Sequence, residues 1–339
     1  MLKTYYSDRL DGNLYSAYQL MDDAIRNRRR DCVLYGVSEA DARRVVSAYT
    51  AENADVYYCA LQFVRAIGSS RELTLQLRYF DNCDEEKFNR CFNQIIDKID
   101  SKIDNYTPDY EIAKLAYEHL AETVSAADEA QTAFLRLDQN DPAATASFLN
   151  KYGRAFCAYG AIVEKKAVCM GVAMAYKMLL DHYRVDAACV TGKYDKLPHM
   201  VNVVELDGTR FYVDITKGLT TKEMPMVRYD MFLVSTARIK KYFVPDEDFG
   251  CVEEKQDYFY RNHLIFQDAA SLRKYLSSCS YQRVDGKFQF RYIGGKLDDD
   301  ALEKMLGEIL EPRCGTEYEI SGYIVENSVG NCLMKKRED

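Results

Sequence analysis

Cysteine, histidine and aspartate together can run acyl transfer, and Cys169, His199 and Asp214 occur in that order through the middle of the chain. A thiolate attacks a carbonyl carbon, an imidazole moves the proton, and a carboxylate fixes the imidazole tautomer and steadies its charged form. Cys169 lies in Ala167-Val168-Cys169-Met170-Gly171-Val172-Ala173, and Val172, Tyr176, Leu179, Leu180 and Tyr183 then fall on one helical face. This spacing predicts a buried helix that begins at or just before Cys169. A thiol there feels the positive end of the helix dipole and its unpaired backbone N–H groups, which favour a thiolate and can hold an oxyanion. Gly171 and Ala173 are small, so the helix is expected to pack close to a neighbouring sheet. A cysteine in such a place, taken alone, is more often an inert core thiol, so the assignment depends on its partners.

The partners come from a hairpin. His199-Met200-Val201-Asn202-Val203-Val204-Glu205-Leu206 and Thr209-Arg210-Phe211-Tyr212-Val213-Asp214 read as two strands, separated by Asp207-Gly208. That dipeptide suits a type I′ turn, whose two central residues need positive φ. A two-residue turn pairs Leu206 with Thr209, which puts Asp214 opposite Val201 and His199 opposite Thr216. The four residues are then expected on one face, with His199 and Asp214 diagonal neighbours ~7–8 Å apart at Cα. His119, His182 and His263 complete the histidines. They read as structural: His119 on a helix beside Glu118, His182 at a helix end, His263 in a strand-like run.

The same residues carry a resemblance. Val168-Cys169-Met170-Gly171-Val172-Ala173, His199-Met200-Val201-Asn202-Val203-Val204 and Val213-Asp214-Ile215-Thr216 resemble the V-C-x-G-Y-A, H-A-W-N-x-V and V-D-x-T elements of the bacterial transglutaminase-like superfamily. Ala158-Tyr159-Gly160-Ala161-Ile162-Val163 is similar to its A-Y-G-A-L-V element, Asp109 to Leu120 to its preceding helix, and Tyr229-Asp230-Met231-Phe232-Leu233 to its Y-x-x-F-L segment. The likeness covers roughly residues 107 to 240. It implies an α+β, transglutaminase-like or papain-like core, with the nucleophile on a helix and the His and Asp on an antiparallel sheet. The resemblance departs from the family at Val201, where Trp is frequent, at Val172, where Tyr is frequent, and at Met170, where a polar residue is common. Those departures imply a differently shaped acyl pocket or a weakened oxyanion site. Tyr159, Met170, Val201 and Asn202 are the candidate pocket residues, with core packing an equal reading for Tyr159.

The resemblance implies acyl transfer on a peptide or protein amide through a thioester, by a peptidase or a transglutaminase. Hydrolysis is favoured slightly over transamidation, since water is always present and nothing marks an amine site. The alternative is an inactive module that binds a peptide or protein partner through the same cleft. No cofactor is expected: the zinc C-x-x-C pair of glycan-removing relatives is missing, and no D-x-[DN]-x-[DN]-G calcium loop occurs.

Composition sets the frame. The chain has 339 residues and a formal net charge of −8, which gives no support to sequence-independent nucleic-acid binding. The basic run from Arg26 to Arg30 reads as a solvated helix end. Eleven scattered cysteines, without zinc-ligand spacing, suit a reducing compartment. No stretch approaches the ~20 apolar residues of a membrane span, and residues Met1 to Tyr6 form no apolar leader core, so a cytoplasmic location is expected. Oligomeric state stays open. Three parts are expected: an α+β flanking module at 1–106, the catalytic core at 107–245, and an α+β flanking module at 246–339. The first should run helix, helix, hairpin and helix, with strands at Val56 to Val64 and Leu73 to Tyr79, and carry no chemistry. Residues from about Ser125 to Pro142 suit either a loop or a short helical insertion. The last part should run helix, strand, helix, strand, with a final strand near Cys332.

Overall fold

The computed structural model describes residues 1–339 apart from 70, 82, 253–255, 279–286, 315–317, 326–328 and 337–339. Helix and strand are mixed throughout. In the first hundred residues, helix α1 (Gly12–Arg26) is capped by the Asp11 carboxylate, which accepts from the Leu14 N–H, and the chain turns out of it at Asn27. Strand β1 (Asp31–Tyr35) follows. Helix α2 (Glu39–Glu52) then opens on Ser38, whose hydroxyl accepts from the Asp41 N–H. Strands β2 (Arg65–Gly68) and β3 (Glu72–Gln76) form the hairpin, and the sheet order is β1-β3-β2. The expected strand at Val56 to Val64 is a run of turns ending in a short 3-10 helix, Leu61–Phe63, and β1 was not anticipated. Alternation there is broken by local turns, while the five-residue β1 is too short to stand out from the polar residues around it.

Helix α3 (Glu85–Asp100) buries Phe88, Ile95 and Ile99, the stripe that its periodicity announces. Helix α4 (Asp109–Thr123) starts after Pro108. A short strand β4 (Ser125–Ala126) leads into helix α5 (Asp128–Leu135), and helix α6 (Pro142–Tyr152) is capped by Asp141. The undecided segment therefore holds one short helix, α5, followed by turns and loop at 136–141. Strand β5 (Lys166–Ala167) pairs in parallel with β4 and delivers the chain to helix α7 (Cys169–His182). Strands β6 (Asp186–Tyr194), β7 (Leu197–Leu206) and β8 (Thr209–Val213) follow as an antiparallel meander. Short helices α8 (Ile215–Gly218) and α9 (Thr236–Ile239) precede β9 (Phe243–Pro245), and the sheet runs β8-β7-β6-β9.

After α10 (Tyr258–Arg261) come β10 (Ile265–Phe266), α11 (Ala269–Ser278), β11 (Lys287–Tyr292), α12 (Asp299–Cys314), β12 (Tyr318–Val325) and β13 (Val329–Lys336). They form a second four-stranded sheet, β10-β11-β13-β12. His263 has φ 56° in the turn before β10, so the strand-like run expected around it does not form. Helices α11 and α12 cover one face of that sheet with Leu272, Leu276, Leu302 and Leu306 against Phe290.

One continuous apolar cluster joins the first hundred residues to the centre, linking Leu34, Leu75 and Phe88 to Leu120, Tyr176 and Leu180. A second lies on the other side of the β6–β8 meander, around Val190, Val201, Val203 and Tyr212. Among the described residues, no helix is long and apolar enough to cross a membrane.

Candidate active site

Helix α7 begins where β5 ends. Its N-cap is Val168, with extended backbone and no side-chain oxygen to offer the first turn. Val172 N–H already bonds the Val168 carbonyl at 3.1 Å, but the N–H groups at the head of a helix have no partner within it. They border a half-buried Cys169. Gly171 explains how this helix head is seated. A Cβ there would lie 2.6 Å from the Ala155 carbonyl oxygen and 2.8 Å from that of Cys157. At Gly171 the close approach is thus to the 155–157 backbone, while at Ala173 the helix meets the sheet, its carbonyl accepting from Asn202 of β7 at 3.0 Å.

The 207–208 turn has the expected conformation, φ 50° at Asp207 and 74° at Gly208. The register runs from Leu206↔Thr209 to Asn202↔Val213 and stops there. Ile215–Gly218 is helical, so Asp214 and Thr216 are not on the strand and His199 does not pair with Thr216. The ladder ends because the chain peels away at Asp214, whose N–H bonds the Met231 carbonyl at 2.9 Å. Asp214 still meets the histidine: His199 Nε2 lies 2.8 Å from Asp214 Oδ2. His199 pairs instead with Gly192 of β6, and its ring is flanked by Tyr194 and Phe243, each with centroids 5.8 Å away.

The Cys169 side chain borders the same cavity as the His199 ring. Burial alone would pull this imidazole down, but the Asp214 carboxylate, with a further contribution from Cys169, overrides it and the ring is pushed up to about 10. Burial likewise opposes the charged form of Asp214, yet His199 and then Lys217 hold its carboxyl below the usual range. Both partners are nearly enclosed, with side-chain exposures of 12% and 2%. Nε2 is committed to the carboxylate, which leaves Nδ1 as the nitrogen for proton exchange with sulfur.

Cys169 and His199 line a cavity of about 330 Å³, walled by Phe134 of α5, Phe156, Val168, Met170, Pro198 and Met200, with Gln62, Gln131, Lys193 and Asp246 among its polar residues. A larger cavity of about 630 Å³ adjoins it and shares Gln62, Met170, Thr191 and Met200. Of the four candidate pocket residues, only Met170 lines the cleft. Tyr159 is core, packed with Phe88 and Tyr57. Val201 is packed in the cluster with Val190 and Val203, because alternate strand residues turn away from α7. Asn202 faces α7 but lies below the cleft, donating from Nδ2 to the Ala173 carbonyl at 3.0 Å and tying strand to helix. Gln62, Gln131 and Phe134 were missed, since they come from segments remote in sequence and bear no local motif.

No protein-family model and no curated protein matches the chain. One solved structure, a crystal structure of a TGase, is similar at 15% identity over 47% of this chain and 45% of its own, with a TM-score of 0.33. That slight likeness carries no argument. The chain spans less than half the length of that protein.

Among the described residues, no group of three or more His, Cys, Asp or Glu side chains is placed to hold a metal ion. Burial pushes Cys59, Cys83, Cys189 and Cys251 up to about 12, raises Cys32, and drives Cys157 higher still.

Proposed function

We propose that this chain is a cysteine acyltransferase or hydrolase of transglutaminase-like type, acting on a peptide or protein amide through a thioester. The single observation that carries the reading is the His199 ring, bonded at Nε2 to Asp214 and sharing one cavity with a helix-head cysteine. Cys169 Sγ adds to the amide carbon, and the carbonyl π electrons move to oxygen. Collapse reforms the carbonyl and breaks the C–N bond, while His199 gives its proton to the departing nitrogen. Water or an amine then releases the acyl group, with His199 taking the proton back. Water is favoured as the acceptor, since it needs no dedicated site. The apolar walls from Phe134, Phe156 and Val168 suit an apolar side chain near the scissile bond, and the adjoining cavity gives an extended peptide room to continue.

The test is mass spectrometry of a peptide library incubated with the protein and a tagged primary amine, with Cys169→Ala as control. Cleaved or amine-tagged peptides that depend on Cys169 are expected. Iodoacetamide at mildly acidic pH should label Cys169 ahead of the other thiols. Unselective labelling with no product would favour the non-catalytic binding module instead.

A further inference from the structure

Strand β2 has an open edge on the larger of the two cavities. In the order β1-β3-β2 it pairs with β3 on one side only. The Ser69 N–H bonds the Glu72 carbonyl at the hairpin turn, and bonded and non-bonded pairs alternate along an antiparallel ladder. Ile67 and Arg65 therefore bond β3, and Ala66, opposite Leu75, does not. The Leu77 N–H, which bonds the Arg30 carbonyl on the β1 side, agrees with this phase. The backbone N–H and C=O of Ala66 thus point away from the sheet, and among the described residues nothing pairs with them. An unpaired edge of this kind is a template for a further strand.

Arg65 and Ala66 line the cavity of about 630 Å³ together with Ala42 and Val46 of α2. It meets the Cys169 cleft at Met170, Thr191 and Met200, which line both. Its charged residues are Glu39, Arg43 and Arg65. Glu39 already engages Arg43. The half-buried Arg65 guanidinium has neither an ion pair nor a hydrogen bond among the described residues. In a chain of net charge −8, the groove thus holds one cation without a partner.

We propose that this groove is a substrate subsite for an acidic peptide segment: the segment beside the scissile amide lies extended along β2, exchanges both backbone hydrogen bonds with Ala66, and sets a Glu or Asp side chain on Arg65. The inference rests on the acyl-transfer reading and names the substrate class. Main-chain bonds to a sheet edge hold any extended chain, and the side-chain contact supplies the choice. A carboxylate gives the guanidinium a charge-assisted bond, whereas a lysine there meets a like charge. Strand β2 lies outside 107–245, so a flanking module without catalytic residues selects what reaches the sulfur.

Two sets of affinity alkylators test this on the full chain: bromoacetyl-tetrapeptide amides, and acetyl-tetrapeptides ending in a bromomethyl ketone. They extend from the sulfur in opposite chain directions. Each position in turn carries Glu, Gln or Lys in an otherwise alanine sequence. The rate constant at Cys169, read by mass spectrometry, is divided by that of iodoacetamide, which is too small to span the groove. In one set, Glu at one position should react about tenfold faster than Gln, and Lys more slowly than Gln. Arg65→Gln should abolish the difference between Glu and Gln, and Arg65→Glu should reverse the order in favour of Lys. An N-methyl scan of the preferred peptide should find a position where the rate falls about tenfold. Ala66→Pro removes the outward N–H on an edge strand, where proline is tolerated, and should produce the same fall. Equal rates for Glu, Gln and Lys in both sets overturn the inference and leave the acyl-transfer reading standing. A Glu preference that survives Arg65→Gln overturns it too, as does an N-methyl scan without effect. If Ala66→Pro does not fold, the N-methyl scan on the unaltered chain decides. If iodoacetamide does not label Cys169 ahead of the other thiols, the acyl-transfer reading falls first and this inference with it.

Discussion

At the residue scale, two opposed influences meet in the His199 ring. Its enclosure favours the neutral form, and the carboxylate 2.8 Å away favours the charged one. The carboxylate prevails, and His199 stays protonated up to about 10. Asp214→Asn removes the charge and leaves the burial, so the ring should titrate lower than in the unaltered chain. A ¹H–¹⁵N NMR titration of the ring checks this directly. Turnover at neutral pH should fall by about 10²–10⁴-fold in that variant, because the ring loses both its tautomer and its charge. Stability should follow with a definite sign. His199 has a raised value in the folded chain, so its contribution is complete below 6.5 and is lost as the pH climbs through about 10. Asp214 is depressed, so its contribution is present above the usual carboxylate range and is lost in acid. The urea midpoint of the unaltered chain should therefore exceed that of Asp214→Asn most between the usual carboxylate range and 6.5, and the gap should shrink in stronger acid and as the pH climbs toward about 10.

At the scale of elements, the site depends on where α7 begins. Gly171 lets the helix head sit against the Ala155 and Cys157 carbonyls. These are backbone atoms and cannot swing aside as a side-chain tip could. Gly171→Ala should cost about 1–3 kcal/mol and should displace the helix head, slowing iodoacetamide at Cys169. A denaturation midpoint and an alkylation rate measured on the same sample test both halves, and an unchanged rate would show that the head is held elsewhere. Asn202 acts at the other end of this arrangement. Its bond to the Ala173 carbonyl fixes β7 against α7 one turn past the sulfur, which keeps imidazole and thiol in register.

At the scale of the whole molecule, the second sheet meets the centre of the chain through polar groups. Gln289 accepts from the Tyr229 N–H at 3.1 Å and also donates to the Val227 carbonyl. Arg291 Nη1 stands 2.6 Å from Asp257 Oδ2, with both side chains almost wholly buried. Exchanging such a pair for apolar residues can be neutral, but removing one partner is not. Asp257→Ala should cost about 3–5 kcal/mol, read as a lower denaturation midpoint. No described residue beyond Asp246 lines the cleft, so Cys169 in this variant should alkylate at the usual rate below the melting range.

What the amino-acid order determined by itself is local. Helix α7 follows from apolar residues at helical spacing, and the 207–208 turn from an Asp-Gly pair able to take positive φ. A two-residue turn fixes register, so the pairing from Leu206↔Thr209 to Asn202↔Val213 was legible. The same reasoning overran at Asp214, because the Met231 carbonyl that draws the chain off the strand lies outside any local window. Tertiary structure alone decided what surrounds the sulfur. Tyr159 and Val201 went to apolar clusters, while Gln62 and Phe134 came to the cleft from segments with no motif of their own. Side chains of adjacent residues are aimed by backbone geometry, which periodicity reveals. Which distant segments converge on a cavity is set by how whole faces pack, and no short stretch of sequence contains that information.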